Sequence, residues 1–327
     1  MGLFVWDLVD PGGNGERMDH LLLYLGGDGY LIFPSTMPGE VARDPTSNTT
    51  DPAKALEAPR PPRPPTPQNP LVNRCSLPPW ALASHEFQEN PWPIEIVGVR
   101  QDEARLFQLL DRIPDSQERG SIFHEYLSER YRLSDWAGPG VSEREKARHS
   151  YLRFLQGWGA DSNGRAGAVL KGWVESRFGL RATYHQGRLA EDAKARERFG
   201  RDRMRGEAET MGITLQLDLL YTFCQYELER RSPGERWMVL YRGTHDPDEY
   251  AVRRDNNGDG SLVELNNLSS FTSDREIAWE FGSQVWETRI PLPKIVFFSG
   301  LVPRHLLEGE CEYLVLGGEY KVKKLSW

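Results

Sequence analysis

Cysteine is scarce and scattered in this chain. Cys75, Cys224 and Cys311 are the three cysteines in 327 residues, and no two form a CxxC pair. Isolated thiols in odd number argue against a disulfide framework or a cysteine-built zinc site and fit a reducing compartment. Long apolar runs are missing as well. Without a stretch of about 18 apolar residues, no membrane-spanning helix is expected. The short run Leu3–Trp6 is cut off by Asp7 and has no basic segment before it, so no signal peptide is expected and the cytoplasm is the expected location. Positive charge is in deficit: 40 Lys and Arg face 48 Asp and Glu, a net charge of −8. That balance is wrong for a general nucleic-acid binder, although a local basic patch for phosphates remains compatible with it. The glycine fingerprint of a Rossmann unit and the P-loop are both absent. Seven histidines show no HExxH or paired spacing, and no metal site is expected.

What is present points to a folded protein, with 39% hydrophobic residues. Residues 1–36 are glycine-rich, and their apolar runs Leu21–Leu25 and Tyr30–Phe33 either form a small hairpin or stay loose. Eight prolines fall between Pro52 and Pro70. Such a stretch lacks backbone donors and favours extended polyproline geometry, which makes residues 1–70 an extension with a flexible linker. A ligand for a proline-binding module is the alternative, and Met37 is a possible later start. A single domain is expected over 71–327.

Within it, apolar residues recur at helical spacing over about 100–232: Leu106, Leu109, Leu110 and Ile113, then Phe123 and Leu127, then Phe154, Leu155 and Trp158, then Leu170, Trp173 and Phe178. The run Ile213–Arg230 predicts an amphipathic helix ended by Ser232-Pro233-Gly234. Beyond residue 236 the texture becomes β-rich, in WMVLYRG, LVELNNLSSFTS, WETRIPL, KIVFFSG, CEYLVLGG and EYKVKKLSW, read as separate strands joined by turns. One short helix, Asp274–Gly282, interrupts them, with Asp274 as its N-cap. The expected class is α+β, an N-terminal helical part on a C-terminal β-rich part, 236–327.

Three features of the β-rich part carry chemistry. Tyr241-Arg242-Gly243 ends an apolar strand, where a guanidinium fork can meet a phosphate and a glycine lets a ligand approach the backbone. A surface salt bridge is the ordinary alternative. Leu268–Ser273 is a hydroxyl-rich strand able to orient a carboxylate, or an edge strand meeting water. Glu310-Cys311-Glu312 places two carboxylates on one face of an extended chain. Like charges held close raise one pKa, which suits base chemistry; two solvated loop glutamates would look the same. Cys311 points away from both and reads as packing.

The order arginine, Ser/Thr strand, Glu-x-Glu resembles the arginine–serine–glutamate signature of the cholera-toxin-like and clostridial-type ADP-ribosyltransferases. So does the helix carrying Ala278 and Phe281. The longer strings LPPWALASHEF, LKGWVESRFGL, YRGTHD, NNLSSFTSDREIAWEFGS and GECEYLVLGGEY are similar to the dinitrogenase reductase ADP-ribosyltransferase family, over roughly Asn73 to Leu325. The resemblance implies a two-sheet catalytic core and NAD as a substrate to be split. It implies Glu312, Glu310 and Arg242 as catalytic residues, with NAD contacts from Arg242, Gly243, Ser270, Thr272, Ser273 and Phe281. Glu312 would hold the nicotinamide ribose, and Glu310 would orient and help deprotonate the incoming arginine. The usual Ser-Thr-Ser is altered here: Phe271 takes the first position in one alignment and Ser270 in another, leaving open which hydroxyl orients Glu312. The implied target is an arginine of dinitrogenase reductase, whose inactivation regulates nitrogen fixation, and the implied activator is a PII signalling protein acting on the helical part. Ser299–Gly309, with Arg304, His305, Leu306 and Leu307, would meet the target. Competing readings are another target protein, water as acceptor, or a non-catalytic PII-binding regulator. A calcium-like start at Asp255-x-Asn257-x-Asp259-Gly260 is set aside, because its twelfth position is Asn266. His245, after the YRG, is read as structural.

Overall fold

The computed structural model describes residues 74–133, 150–210, 212–245, 260–303 and 312–325, and the backbone of four further strands. The chain divides into two compact units, residues 1–61 and 62–327. In the first, β1 (Leu3–Phe4), β2 (Leu21–Leu25) and β3 (Gly29–Phe33) form an antiparallel sheet in that order. The two apolar runs make the β2–β3 hairpin, with Leu21 opposite Phe33 and Leu25 opposite Gly29.

The second unit is α+β, with helices first and an antiparallel strand set after them. Helices begin earlier than the periodicity indicated, with α1 (Pro79–Ala83) and α2 (His85–Glu89). Short α3 (Val99–Asp102) and α4 (Ala104–Leu110) follow. Three of the next helices start at polar N-caps that accept backbone N–H groups, as their sequences favour. These are α5 (Ser116–Arg130) at Asp115, α6 (Tyr151–Ala160) at Ser150, and α8 (Ala193–Ala208) at Asp192. Between the last two lies α7 (Arg165–Phe178), which stops at Gly179 in the left-handed conformation.

Helix α9 (Ile213–Arg231) departs from expectation. It is not amphipathic: residues all round it are buried, among them Gln216, Asp218 and Glu227. The physical reason is its position, because it packs against α3, α5, α6 and the strand Ile295–Phe298. Its buried charges are paired. Arg119 grips Glu227 through two nitrogens at 2.5 and 2.9 Å, and Arg177 and the Trp173 indole meet Asp218 at 2.8 and 2.7 Å. Helices α5 and α7 are thereby tied to α9 by bonds that leave no lone charge.

The strands are β4 (Trp237–Thr244), β5 (Ala251–Arg254), β6 (Ser261–Thr272), β7 (Gln284–Pro291), β8 (Ile295–Phe298) and β9 (Glu312–Leu325). Their order is β5-β6-β4-β7-β9-β8, and β6 also pairs with β9, so β4, β7, β9 and β6 close a ring. Helix α10 (Arg275–Glu280) interrupts them, capped by Asp274, whose carboxylate accepts from Glu276 and Ile277 N–H. The strings CEYLVLGG and EYKVKKLSW are not two strands: residues 312–325 run on as one, bent at Gly318, whose φ is +116°. Gln88 of α2 fills the place where β7 and β9 part. Its amide donates to Thr288 Oγ1, Arg289 O and Lys321 O and accepts from Lys321 N.

Lys294 is a strained member of this core. It is 0% exposed, its Nζ has no hydrogen-bond partner, and it lies over the rings of Tyr320 (4.3 Å) and Phe87 (5.7 Å). Burial pulls its amine down to about 7. The folded pKa is depressed below the unfolded value, so the unfolded chain holds more protons between about pH 7 and 10.5. The destabilisation is therefore complete below about pH 7 and fades as pH rises. Lys294→Met should raise the melting temperature at pH 7, by about 2–4 °C per kcal/mol relieved. Thermal melts across pH 6.5 to 10 should show the gain shrinking towards the alkaline end; a gain constant with pH would contradict the burial of a charge.

Candidate active site

Glu312 opens β9, and its main chain is fixed before its side chain is. Ser299, just after β8, donates its N–H to Glu312 O at 2.8 Å, and its Oγ accepts from Glu312 N at 2.9 Å. Across the sheet Glu312 pairs with Thr272. The side chain then meets the diagonal neighbour: Ser270 Oγ donates to Glu312 Oε1 at 2.6 Å. Such a short bond to a carboxylate is of the charge-assisted kind.

The three candidate hydroxyls thus have different surroundings. Ser270 touches Glu312. Thr272 is buried, and its Oγ1 accepts from Asp274 N, closing the turn into α10. Ser273 is exposed to solvent. Arg242 joins the same cluster from β4, where Nη1 donates to Ser270 O at 2.7 Å. Strands β4 and β6 are otherwise bridged at Tyr241 and Thr272, so this bond reaches across the point where they diverge.

Three further residues complete the cluster, and none of them was named as a catalytic or NAD-binding residue from the sequence. Trp158 of α6 is buried, with its indole N–H donating to Ser270 Oγ at 2.8 Å. Lys171 of α7 is buried too, its ammonium bonded to Asn163 Oδ1 (2.9 Å) and Tyr184 O (3.0 Å). Burial lowers the Lys171 amine to about 8, with Asp161 opposing the shift, so it stays mainly protonated at neutral pH. Ser299 is the third. Trp158 had been legible as a helix-face aromatic, Lys171 only as one charge among many, and Ser299 as the first residue of the loop assigned to the target.

Trp158, Lys171, Arg242 and Ser270 line one cleft of about 220 Å³. Arg242 and Lys171 outnumber the one carboxylate that lines this cleft, Glu264, a balance that suits an anionic ligand such as a pyrophosphate. A larger cavity of about 410 Å³ lies between α9 and residues 93–101, but it contains none of the candidate residues, so chemistry rather than size selects the cleft. Phe281 follows α10 with its side chain 51% exposed, an aromatic face beside the end of β4. His245 is exposed after the end of β4. Glu310, Cys311, Arg304, His305, Leu306, Leu307 and the calcium-like residues 255–259 lie outside the described residues. Among the described residues, no cluster of His, Cys, Asp and Glu could hold a metal ion. Cys75 and Cys224 are buried free thiols, and burial pushes Cys75 up to about 11.

Comparison with known proteins identifies the family. Residues 72–324 match the family described as dinitrogenase reductase ADP-ribosyltransferase. A relative from Rhodospirillum rubrum, NAD(+)--dinitrogen-reductase ADP-D-ribosyltransferase, is 42% identical over 258 residues, 77% of this chain and 94% of the relative. No solved structure matches.

Packing gives Gly243 a reason of its own for being glycine. A Cβ there would sit 2.0 Å from Ala278 O and 3.0 Å from Gly282 N, so β4 lies backbone to backbone against α10 and its exit. Gly243→Ala must push α10 away from the strand. An overpacking cost of about 1–3 kcal/mol is expected, seen as a drop of several degrees in the melting temperature. An unchanged melt would mean that α10 is not seated as described.

Proposed function

The chain belongs to the dinitrogenase reductase ADP-ribosyltransferase family, and on that premise we propose that it transfers ADP-ribose from NAD to one arginine of dinitrogenase reductase. The observation carrying the site assignment is the Ser270–Glu312 bond, with Arg242 anchored on the same serine. Family membership supports the reaction, and the charges gathered in the cluster support the site assignment.

In the proposed reaction the bond between nicotinamide and ribose C1′ breaks, and nicotinamide leaves with the bonding pair. A guanidinium nitrogen of the target then bonds to C1′ and gives up one proton. Positive charge develops on the sugar, as in glycoside cleavage. Glu312, ionised and held by Ser270, stabilises that charge and takes a ribose hydroxyl. Arg242 and Lys171 neutralise the pyrophosphate, and Phe281 offers a stacking face. Glu310 removes the proton that makes guanidinium, with a pKa above about 12, a poor nucleophile. The Thr272, Ser273 and Gly243 backbones complete the wall beside NAD.

The wider reading follows from the same membership. Residues 71–327 form the catalytic domain, with a two-sheet core of the ADP-ribosyltransferase type, after an extension and linker in 1–70. Arginine modification inactivates the target and so restrains nitrogen fixation. A PII signalling protein activates the transferase through its helical part, in the cytoplasm.

Intact-mass analysis of dinitrogenase reductase after incubation with the protein and NAD should show a single ADP-ribose. Glu312→Gln should lower kcat by about 100-fold or more and leave NAD binding within a few-fold. Ser270→Ala should cost about tenfold, while Ser273→Ala stays within about twofold. Normal turnover in Glu312→Gln would remove Glu312 from the mechanism; a Ser273→Ala loss exceeding that of Ser270→Ala would reverse the choice of hydroxyl.

A further inference from the structure

We infer that Trp158 is a positioning residue: its indole N–H sets the direction of the Ser270 hydroxyl and so aims the one serine proton at Glu312. The inference rests on the proposed role of Glu312 and adds the helical part to the catalytic machinery.

The argument is one of hydrogen-bond direction. An indole nitrogen only donates, whereas a serine hydroxyl has one proton and two acceptor positions. Ser270 Oγ lies 2.8 Å from Trp158 Nε1 and 2.6 Å from Glu312 Oε1. Since Trp158 must donate, Ser270 accepts there and keeps its proton for the carboxylate. Without the indole, the hydroxyl is free to rotate and to donate elsewhere in the cleft. Buried polar chains of this kind strengthen one another, and a reversed serine would leave the buried indole N–H unmatched.

Trp158 is held firmly enough for that task. It is 3% exposed, and Lys171 Nζ lies 5.8 Å above its ring, a placement that favours an electron-rich indole. Helix α6 is fastened at its start, where Tyr151 N donates to Gln216 Oε1 of α9 at 3.0 Å. Near its end it comes close to α7, because a Cβ on Gly157 would stand 2.5 Å from that of Ala166. The next residue after the tryptophan, Gly159, would carry a Cβ 4.0 Å from Glu312 Oε2, so the helix end itself borders the carboxylate. The relay thus runs from the central helix through α6 to Ser270 and Glu312.

The test uses the full chain with Trp158→Phe, and with Trp158 replaced by benzothienylalanine, which keeps the shape of indole and removes the N–H. Nicotinamide release and ADP-ribosylation of dinitrogenase reductase are measured with NAD varied. Each variant should lose about tenfold in kcat with KM for NAD within about twofold, a split that a general loss of packing would not produce. In a Ser270→Ala background the same replacements should cost less than about twofold further, because their effect passes through that hydroxyl. Unchanged kcat in the benzothienyl variant, or an equal loss with and without Ser270, overturns the relay. A Glu312→Gln enzyme that turns over normally overturns both the relay and the role of Glu312. An inactive Glu312→Gln enzyme beside unaffected Trp158 variants overturns the relay alone.

Discussion

The pairing of β6 with β9 is the constraint on which the site depends. Below its irregularity, Leu268 faces Leu316 and Thr272 faces Glu312, which brings Ser270 onto the diagonal beside the carboxylate. Above it, Leu265 faces Gly318. Across this gap two residues of β6, Asn266 and Asn267, stand opposite one of β9, Gly317, so the asparagines bulge out. Their amides then reach the helical half: Asn266 holds Thr183 N and Tyr184 O, and Asn267 Nδ2 holds Lys171 O and Leu180 O. Gly317 permits this, since a Cβ there would be 1.9 Å from Asn266 O. A one-residue slip would turn Ser270 to the other face and release these amides together.

Charge is distributed with the same economy. An acidic chain, net −8, keeps two cations in its cleft by burying one of them among acceptors. Lys171 and Lys294 are equally hidden, yet they differ in what surrounds them. Lys171 has two oxygen acceptors and sits at about 8, whereas Lys294 has aromatic faces alone and sits at about 7. Overall charge therefore says little about the ligand: burial lowers both amines, and Asp161 opposes the shift at Lys171 while nothing opposes it at Lys294.

Element types were largely legible because long periodic segments report their own geometry. Helices α5, α6 and α7 and strands β4, β6, β7 and β8 fall where apolar spacing placed them. Helix α9 was misread as amphipathic because its polar residues Gln216, Asp218 and Glu227 look solvent-facing until their buried partners from other helices are known. The single strand β9 was divided in two because Gly317-Gly318 has the text of a turn, and only a partner backbone explains both glycines. Of the candidate site residues, Arg242, Ser270 and Glu312 could be named from order along the chain, and the fold brings them together. The choice among Ser270, Thr272 and Ser273 could not, since it depends on a diagonal contact between strands about 40 residues apart. Trp158 and Ser299 are further from local text still, because each acts on Glu312 from a different element.

A carboxylate whose partner serine is oriented from a helix has a consequence for how activity can be controlled. The indole–serine bond is 2.8 Å long, and hydrogen bonds of this kind are lost by about 3.5 Å. A shift of α6 by about 1 Å is therefore enough to break the relay while leaving Arg242, Lys171 and the cleft walls in place. NAD would still bind, and the sugar charge would be less well met. Helix α6 is anchored to α9 at Gln216, and α9 is in turn held by α5 and α7 through buried ion pairs. Helix α6 is thus joined through α9 to α5 and α7, and its last turn borders the acid.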